Sequence, residues 1–555
     1  VDRSDPIAEG AQQGRDVGTA DGRPERVDLE GHARIELLDE GLERVAPVAR
    51  AHPSTTHITD RRPGPWVLGP STVPRASWHT RPMDATGPWQ NAARGADLLR
   101  DGRASPTIFA RMSARAAELG AMNLGQGFPD TDPPPAVAEA AVAAIRAGAN
   151  QYPPGPGTPE LRAAIARHQE RFYGLSWDPA REVLVTTGAT EAIAASILAL
   201  VRPGDEVLTL EPYYDSYAAM IALAGGVHRT VPLTVENPDD AGARSTDAGP
   251  GDAVPAADAD TADGSPGATI PAADARARAH HPDTDAATGP VGDLRLGVDP
   301  AALRAAITDA TRLILVNSPH NPTGIILSPE ALTAIVEGAA AHDAIIVSDE
   351  VYEHLVLDDA HTPIATLPGA RERTITIGSA GKTLSVTGWK IGWITAPSEL
   401  VTAVTGVKQW LTYTSGAPFQ GAVATGLDLP DEEFDAIADD LRRRRDGLLA
   451  TLRGIGARVS VPAAGYFVVA DLSGLGEADA AALCERLPEE AGVVAIPVPA
   501  FCRDEADGGH ASRFASLVRF AFCKDDATMT EAARRLEAWA AERGGKAGRA
   551  PTRGA

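Results

Sequence analysis

The chain has 555 residues, with 51 Lys and Arg against 75 Asp and Glu, a formal net charge of −24 and a pI near 5.0. So acidic a chain is a poor partner for nucleic-acid phosphate backbones. Cys484, Cys502 and Cys523 form an odd, sparse set that builds no disulfide framework and matches no metal-ligand spacing, which points to a reducing cytoplasm. No apolar run reaches the ~18 residues of a membrane span.

In chain order, residues 1–104 are rich in Arg, Asp, Gly and Pro, and are expected to be a disordered, low-complexity extension. An N-terminal arm, sharing in a small domain, is expected over 105–150. Short β-branched runs then recur: "EVLVTTG", "EVLTLEP", "HRTVPL", "RLILVNSP", "AIIVSDE", "RTITIGS" and "KIGWITAP". Most are separated by helical stretches such as "ATEAIAASILALV" and "SPEALTAIVEGAAAH". Apolar runs buried on both faces fit a mainly parallel sheet covered by helices. The pattern predicts an α/β fold, with a seven-stranded sheet in a large domain over 151–397. Residues 236–292 interrupt it; dominated by Ala, Asp, Gly and Pro, they bury too little apolar surface to offset ordering entropy and read as a flexible insertion. A long helix, "DEEFDAIADDLRRRRDGLLATLRGIG", and the strands "GYFVVADL" and "SLVRFAFCK" predict a smaller α+β domain over 398–541, with a disordered tail at 542–555.

The stretch "RTITIGSAGKTLSVTGWKIGW" contains Gly381-Lys382-Thr383. A nucleotide phosphate loop requires glycine six residues before the lysine, and Thr376 stands there. The Gly155–Gly157 "GPG" sits among prolines and reads as a turn rather than half of a dinucleotide fingerprint. A lysine forming an imine with an aldehyde cofactor such as pyridoxal phosphate needs companions. These are a carboxylate to keep the ring nitrogen protonated, a phenol or amide at the ring hydroxyl, an aromatic face and a phosphate seat. In an open α/β sheet they belong at the carboxyl ends of strands. Asp349 ends "AIIVSD", with Tyr352 three residues on; Asn321 follows "LILVNSPH"; Tyr213 and Tyr214 follow "LTLEP". Gly188 leads directly into a helix, leaving the amides of Ala189 and Thr190 at its positive end. Ser379 and Lys390 flank Lys382 and can reach the same phosphate. Each has a plain structural alternative: a helix cap for Asp349, an Asn-Pro turn for Asn321, a solvated side chain for Lys390.

Together with "NLGQGFPD", "NQYPPGPGTPELR", "EPYYDSY", "NSPHNPTG", "SDEVYEHLV", "VVAIPVPAFC" and "VRFAFCKDD", these phrases resemble the pyridoxal-phosphate-dependent class I/II aminotransferases of the aspartate-aminotransferase fold, that is, fold type I. Similarity is greatest to kynurenine–oxoglutarate (glutamine) transaminases and actinobacterial N-succinyldiaminopimelate aminotransferases. The resemblance implies pyridoxal 5'-phosphate as cofactor, with Lys382 as imine lysine and proton shuttle. It implies Asp349 at the ring nitrogen, Tyr352 and Asn321 at the ring hydroxyl, Asn321 also at the substrate carboxylate, and Tyr214 stacked on the ring, with Tyr213 as rival. Phosphate binding falls to Ala189, Thr190, Ser379 and Lys390. Arg519, an arginine in an apolar strand that needs an anionic partner, matches the α-carboxylate clamp. Gly127 and Phe109 match the segment covering the substrate, Phe109 standing where related transaminases carry Trp. Tyr152 is implied to reach the phosphate held by a second subunit, which makes the expected enzyme a homodimer with shared sites. The implied reaction is a ping-pong transfer of an amino group from an amino acid to a 2-oxo acid, 2-oxoglutarate foremost. The same scaffold also supports carbon–sulfur β-elimination, and some transcription regulators fuse such a domain to a DNA-binding one; residues 1–104 offer no helix-turn-helix pattern for the latter. No metal, nucleic acid or membrane partner is expected.

Overall fold

The computed structural model describes residues 99–100, 103–104, 106–236 and 293–547. Leu99–Arg100 and Arg103–Ala104 pair as a short antiparallel ladder. The rest of the expected extension, and the expected insertion beyond Glu236, lie outside the described residues.

Seven strands form the main sheet: β1 (Val183–Thr187), β2 (Glu206–Glu211), β3 (Val227–Pro232), β4 (Thr311–Asn317), β5 (Ile345–Asp349), β6 (Thr374–Ser379) and β7 (Ile391–Thr395). Their spatial order is β1-β7-β6-β5-β4-β2-β3. β7 runs antiparallel to both neighbours and every other pair is parallel. The expected α/β class and mainly parallel seven-stranded sheet are thus observed. The central strands are apolar on both faces because helices cover both. Leu184, Val347, Ile377 and Ile394 pack on one side, and Ile314, Ile346, Leu332 and Ile335 on the other. Each such side chain contributes about 1.5–3 kcal/mol on burial.

The helices begin where sequence chemistry places them. Helix α3 (Pro159–Tyr173) starts with proline at its first position, and the Thr158 hydroxyl accepts from the Leu161 amide at 3.3 Å. Ser328 does the same for α7 (Pro329–Ala341) through Ala331. Helix α4 (Gly188–Leu200) leaves β1 without a linker, which its first residue permits by adopting φ +74°. Other helices named below are α1 (Ile108–Leu119), α2 (Pro135–Arg146), α5 (Ser216–Ala224), α6 (Pro300–Ala306) and the single turn α8 (Ala380–Thr383) that carries Lys382.

The hairpin from β6 to β7 is tightly fitted. A Cβ at Gly378 would fall 2.3 Å from Trp393 Nε1, and one at Gly392 would fall 2.6 Å from the Gly188 carbonyl carbon. Strand β7 therefore touches the start of α4 backbone to backbone.

Beyond α9 (Ser398–Leu411) and α10 (Ala417–Leu427), helix α11 (Asp431–Gly454) leads into a second, antiparallel sheet. Its strands are β8 (Arg458–Ser460), β9 (Phe467–Asp471), β10 (Ile496–Pro497) and β11 (Leu517–Ala521), in the order β8-β9-β11-β10. Helices α12 (Ala480–Glu490) and α13 (Asp526–Ala547) pack around it, giving the smaller α+β layer. Helix α13 continues through Ala547, into the segment 542–555 that composition marks as a tail. The N-terminal segment joins this layer: Met122 and Asn123 pair in parallel with Val493 and Val494, and the Ala521 amide donates to Leu124 O. Residues 125–128 consequently run between the two sheets.

Candidate active site

Because β1, β2, β4, β5 and β6 are parallel, their carboxyl ends share one edge. The antiparallel β7 begins at that edge, so Lys390, the residue before it, arrives there too. A cavity of about 380 Å³ opens there. Gly188, Ala189 and Thr190 line it from the start of α4, Tyr214 from beyond β2, Asn321 from beyond β4, and Asp349 and Tyr352 from the end of β5. Ser379, Lys382 and Lys390 contribute from the β6–β7 hairpin, and Phe109, Gly127 and Arg519 close the far side. Every predicted site residue except Tyr152 meets in this one space. Tyr152 lies on the surface with 82% of its area exposed, its ring edge-on to Tyr413 at 5.8 Å.

Asp349 is buried at the end of β5. Tyr217 Oη donates to its Oδ2 at 2.6 Å, while Oδ1 has no hydrogen-bond partner among the described residues. Burial pushes this carboxyl up to about 6, against the opposing pull of the Tyr217 hydroxyl, the Val351 amide and the Lys382 charge. Lys382 is depressed, first by burial, with Lys390 and Arg519 adding like charge; Cys523 and Asp349 oppose the shift. Its Nζ donates to Gly127 O at 3.4 Å. Tyr214 and Tyr352 are both raised by burial, so their hydroxyls stay protonated.

Arg519 lies in mid-strand on β11. Nη1 donates to Asn321 Oδ1 at 3.0 Å, Nη2 donates to Gly125 O, and Nε has no partner among the described residues. Phe467 and Phe501 hold the guanidinium carbon at 4.1 and 4.6 Å from their ring centres. Burial lowers its pKa to about 10, which leaves it charged at neutral pH. At the opposite end, a Cβ on Gly188 would fall 3.3 Å from Lys390 Cε, so the lysine chain lies directly over the start of α4. Lys390 itself adopts φ +55°, a left-handed conformation that aims it back across the hairpin.

Several residues escaped sequence reasoning. Tyr217 is the third tyrosine of "EPYYDSY" and the second residue of α5, from which its hydroxyl reaches Asp349. Asn317, the last residue of β4, donates to Asp349 O and accepts from the Asn321 amide, both at 2.7 Å. Asp215, Gln126 and Phe467 also line the cavity, and Tyr466 donates to Gly127 O at 2.6 Å. Tyr217 and Asn317 carried a signal, since both stand inside quoted motifs. Tyr466 and Phe467 carried none beyond strand pattern. Behind Tyr352 lies a buried polar cluster of His168, Glu353 and His354, in which the two histidine Nε2 atoms are 2.6 Å apart. That is tighter than the ~3.3 Å between two ligands of a tetrahedral ion with ~2.0 Å bonds.

Three cations, Lys382, Lys390 and Arg519, thus share a cavity in which, among the described residues, none of them forms an ion pair, and a buried carboxylate oxygen faces them without a partner. Such a set fits a ligand with a phosphate, a carboxylate and a protonated ring nitrogen, which is the profile of pyridoxal 5'-phosphate joined to an amino acid. Fold and cavity together define a fold type I pyridoxal-phosphate-dependent enzyme.

Within that class the chain belongs to the class I and II aminotransferases, whose family model matches residues 120–244 and 280–536. A probable N-succinyldiaminopimelate aminotransferase, DapC, of Mycobacterium tuberculosis is 47% identical over 435 residues, covering 78% of this chain and 95% of its own. Kynurenine–oxoglutarate transaminase 3 of Mus musculus is 35% identical over 451 residues, covering 78% and 88%. The solved structure of N-succinyldiaminopimelate aminotransferase from Mycobacterium tuberculosis matches with a TM-score of 0.65 at 46% identity, covering 78% of this chain and 97% of that one. The protein is therefore a pyridoxal-phosphate-dependent aminotransferase.

Proposed function

We propose that this aminotransferase exchanges amino and oxo groups between glutamate and a long-chain 2-oxo acid of the N-succinyl-2-amino-6-oxopimelate type, releasing 2-oxoglutarate and N-succinyldiaminopimelate. The carrying observation is the single cavity that joins Lys382, the unpartnered Asp349 oxygen and Arg519. The substrate class draws on the 47% identical relative. Cavity shape supports it: Arg519 is the only arginine lining the space among the described residues, and Phe109 and Tyr214 wall it. Remote carboxylates must extend past these rings rather than fold into a short dicarboxylate seat.

When bound, pyridoxal 5'-phosphate supplies an electron-poor ring that stabilises negative charge at the substrate α-carbon. Asp349 keeps the ring nitrogen protonated, and an N–H there gives Oδ1 the partner it lacks. Tyr352 and Asn321 hold the ring hydroxyl, and Tyr214 covers one ring face. Ser379, Lys390 and the amides of Ala189 and Thr190 bind the phosphate. Arg519 binds the α-carboxylate, its plane fixed by Phe467 and Phe501. Lys382 Nζ would take the proton from the substrate α-carbon and hold it for return to the bound amino group's carbon framework. Its depressed pKa favours the amine that this task requires. Phe109 and Gly127 exclude water from the reacting atoms. Tyr152, exposed and edge-on to Tyr413, contributes to a twin site in a cytoplasmic homodimer.

A donor screen tests the reading. The holoenzyme is mixed with single amino acids, and conversion of its visible absorbance to the amine form is followed in the near ultraviolet. Glutamate and N-succinyldiaminopimelate should convert it; silence with every donor would refute transamination. A kynurenine-type specificity, favoured by the aromatic wall and the 35% identical relative, would show as faster conversion by kynurenine. Pyruvate released from a cysteine S-conjugate without an oxo acid would reveal β-elimination instead.

A further inference from the structure

The Gly127 carbonyl accepts two hydrogen bonds, one from Tyr466 Oη at 2.6 Å and one from Lys382 Nζ at 3.4 Å. We infer that Tyr466 is a positioning residue for Lys382: its hydroxyl fixes the Gly127 carbonyl as the acceptor for the lysine whenever that lysine is free and carries a proton.

The surroundings make this arrangement specific. Tyr466 is fully buried immediately before β9, and its own carbonyl accepts from the Phe522 amide at 2.9 Å, which ties it to the small sheet. Its ring stands edge-on to Tyr352 at 5.3 Å and to Phe467 at 4.7 Å. Phenylalanine would satisfy those ring contacts equally, so packing alone does not call for the hydroxyl; its polar partners are the Gly127 carbonyl and the Tyr352 side chain, and carbamylation of Lys382 reports on the first. Burial raises that hydroxyl well above the ordinary phenol range, so it remains a donor throughout the working range. On the other side, a Cβ at Gly127 would fall 2.4 Å from Phe467 Cζ, and only glycine lets the backbone come this close.

Free Lys382 needs such an acceptor. The groups facing it are Asp349, Cys523, Lys390 and Arg519, with Tyr352 and Tyr466 presenting rings at 6.0 and 5.7 Å. Two of these are cations, and Asp349 is engaged by Tyr217 and reserved for the ring nitrogen. A carbonyl has two lone pairs. Tyr466 occupies one and holds the other toward the amine, giving the proton-bearing lysine a neutral, fixed partner. The bond from Tyr466 also ties that partner to the small sheet, alongside the Arg519 bond to Gly125 O.

This inference rests on Lys382 as the proton-moving group, and two measurements on Tyr466→Phe separate the two claims. In the full chain stripped of cofactor, carbamylation of Lys382 by cyanate is followed by peptide mass across pH. The inference expects the half-reactive pH to move lower, because the protonated amine has lost its held acceptor. In the holoenzyme, the rate with saturating donor should fall about fivefold, the loss expected of one neutral hydrogen bond, while KM changes less than about twofold. A melting curve close to the parent's shows that the ring contacts survive. An unmoved carbamylation profile overturns the inference, as does a rise in KM with an unchanged saturated rate. Activity surviving in Lys382→Ala would instead overturn the proposed function, and the carbamylation comparison would still report on the Tyr466 contact.

Discussion

The two sheets build their shares of the cavity in opposite ways. The parallel sheet gathers strand ends: five strands deliver their last residues to one edge, so Asp349, Asn321, Tyr214, Ser379 and the start of α4 converge although they are far apart in sequence. The antiparallel sheet presents a face instead. Arg519 pairs with Val469 across β9 and β11, and the alternation of side chains puts Phe467 on the same surface, two residues away. In the proposed reading, edge chemistry serves the cofactor and face chemistry serves the substrate. Changes on the first should alter whether the reaction occurs, and changes on the second should alter which molecule reacts.

That contrast can be broken in order of expected effect. Lys382→Ala removes the proton-moving amine and should cut the transamination rate by more than about 10³-fold, measured with saturating glutamate. Asp349→Asn keeps the shape but not the charge. It should cost about 10²–10³-fold in kcat with a modest change in KM, and shift the visible absorbance of the bound cofactor. Arg519→Lys, on the face, should lower kcat/KM about 10–100-fold, mainly through KM, because an ammonium cannot reproduce the flat fork held between Phe467 and Phe501. If Asp349→Asn acted mainly on KM and Arg519→Lys mainly on kcat, the division between edge and face would fail.

A subtler effect concerns the buried carboxyl behind the site. Burial, with Glu350 adding like charge, pushes Glu353 up to about 8 from 4.5. An acid whose folded pKa is raised favours folding while neutral, so its contribution is complete below 4.5 and is lost as pH rises through about 8. Glu353→Gln mimics the neutral form, so its melting temperature should decline less between neutral and alkaline pH than the parent's. Smallest of all, deletion of residues 1–98, which precede the family match at residue 120, should leave the donor half-reaction unchanged.

The cofactor end was legible in sequence because each of its groups lies in a short local phrase at a strand terminus. "SDEVY", "HNPTG" and "GSAGKT" each hold polar residues where an apolar run stops, and the sheet needs only to be parallel for them to meet. Periodicity likewise exposed all seven strands, since helices on both faces force continuous apolar runs. It did not reveal that β7 reverses direction, because a strand buried on both faces carries no mark of polarity. The substrate end was less open. Arg519 was visible as a charge in an apolar strand, but Tyr466 and Phe467 looked like ordinary core residues; the register of β9 against β11 brings Phe467 to the cavity, and Tyr466 meets the site through its bond to Gly127 O. Tyr217 was missed for a local reason: its hydroxyl reaches Asp349 from the start of α5, and three tyrosines within five positions gave no means of choosing among them.

The glycines at the β6–β7 hairpin carry a practical consequence for anyone remodelling this enzyme. With Gly378 filled by Trp393, and Gly392 pressed on the backbone at Gly188, side-chain diversity cannot be introduced there without displacing Trp393 or the start of α4. Libraries aimed at new donors belong instead at Phe109, Gln126 and Asp215, whose chain segments lie outside that interlock.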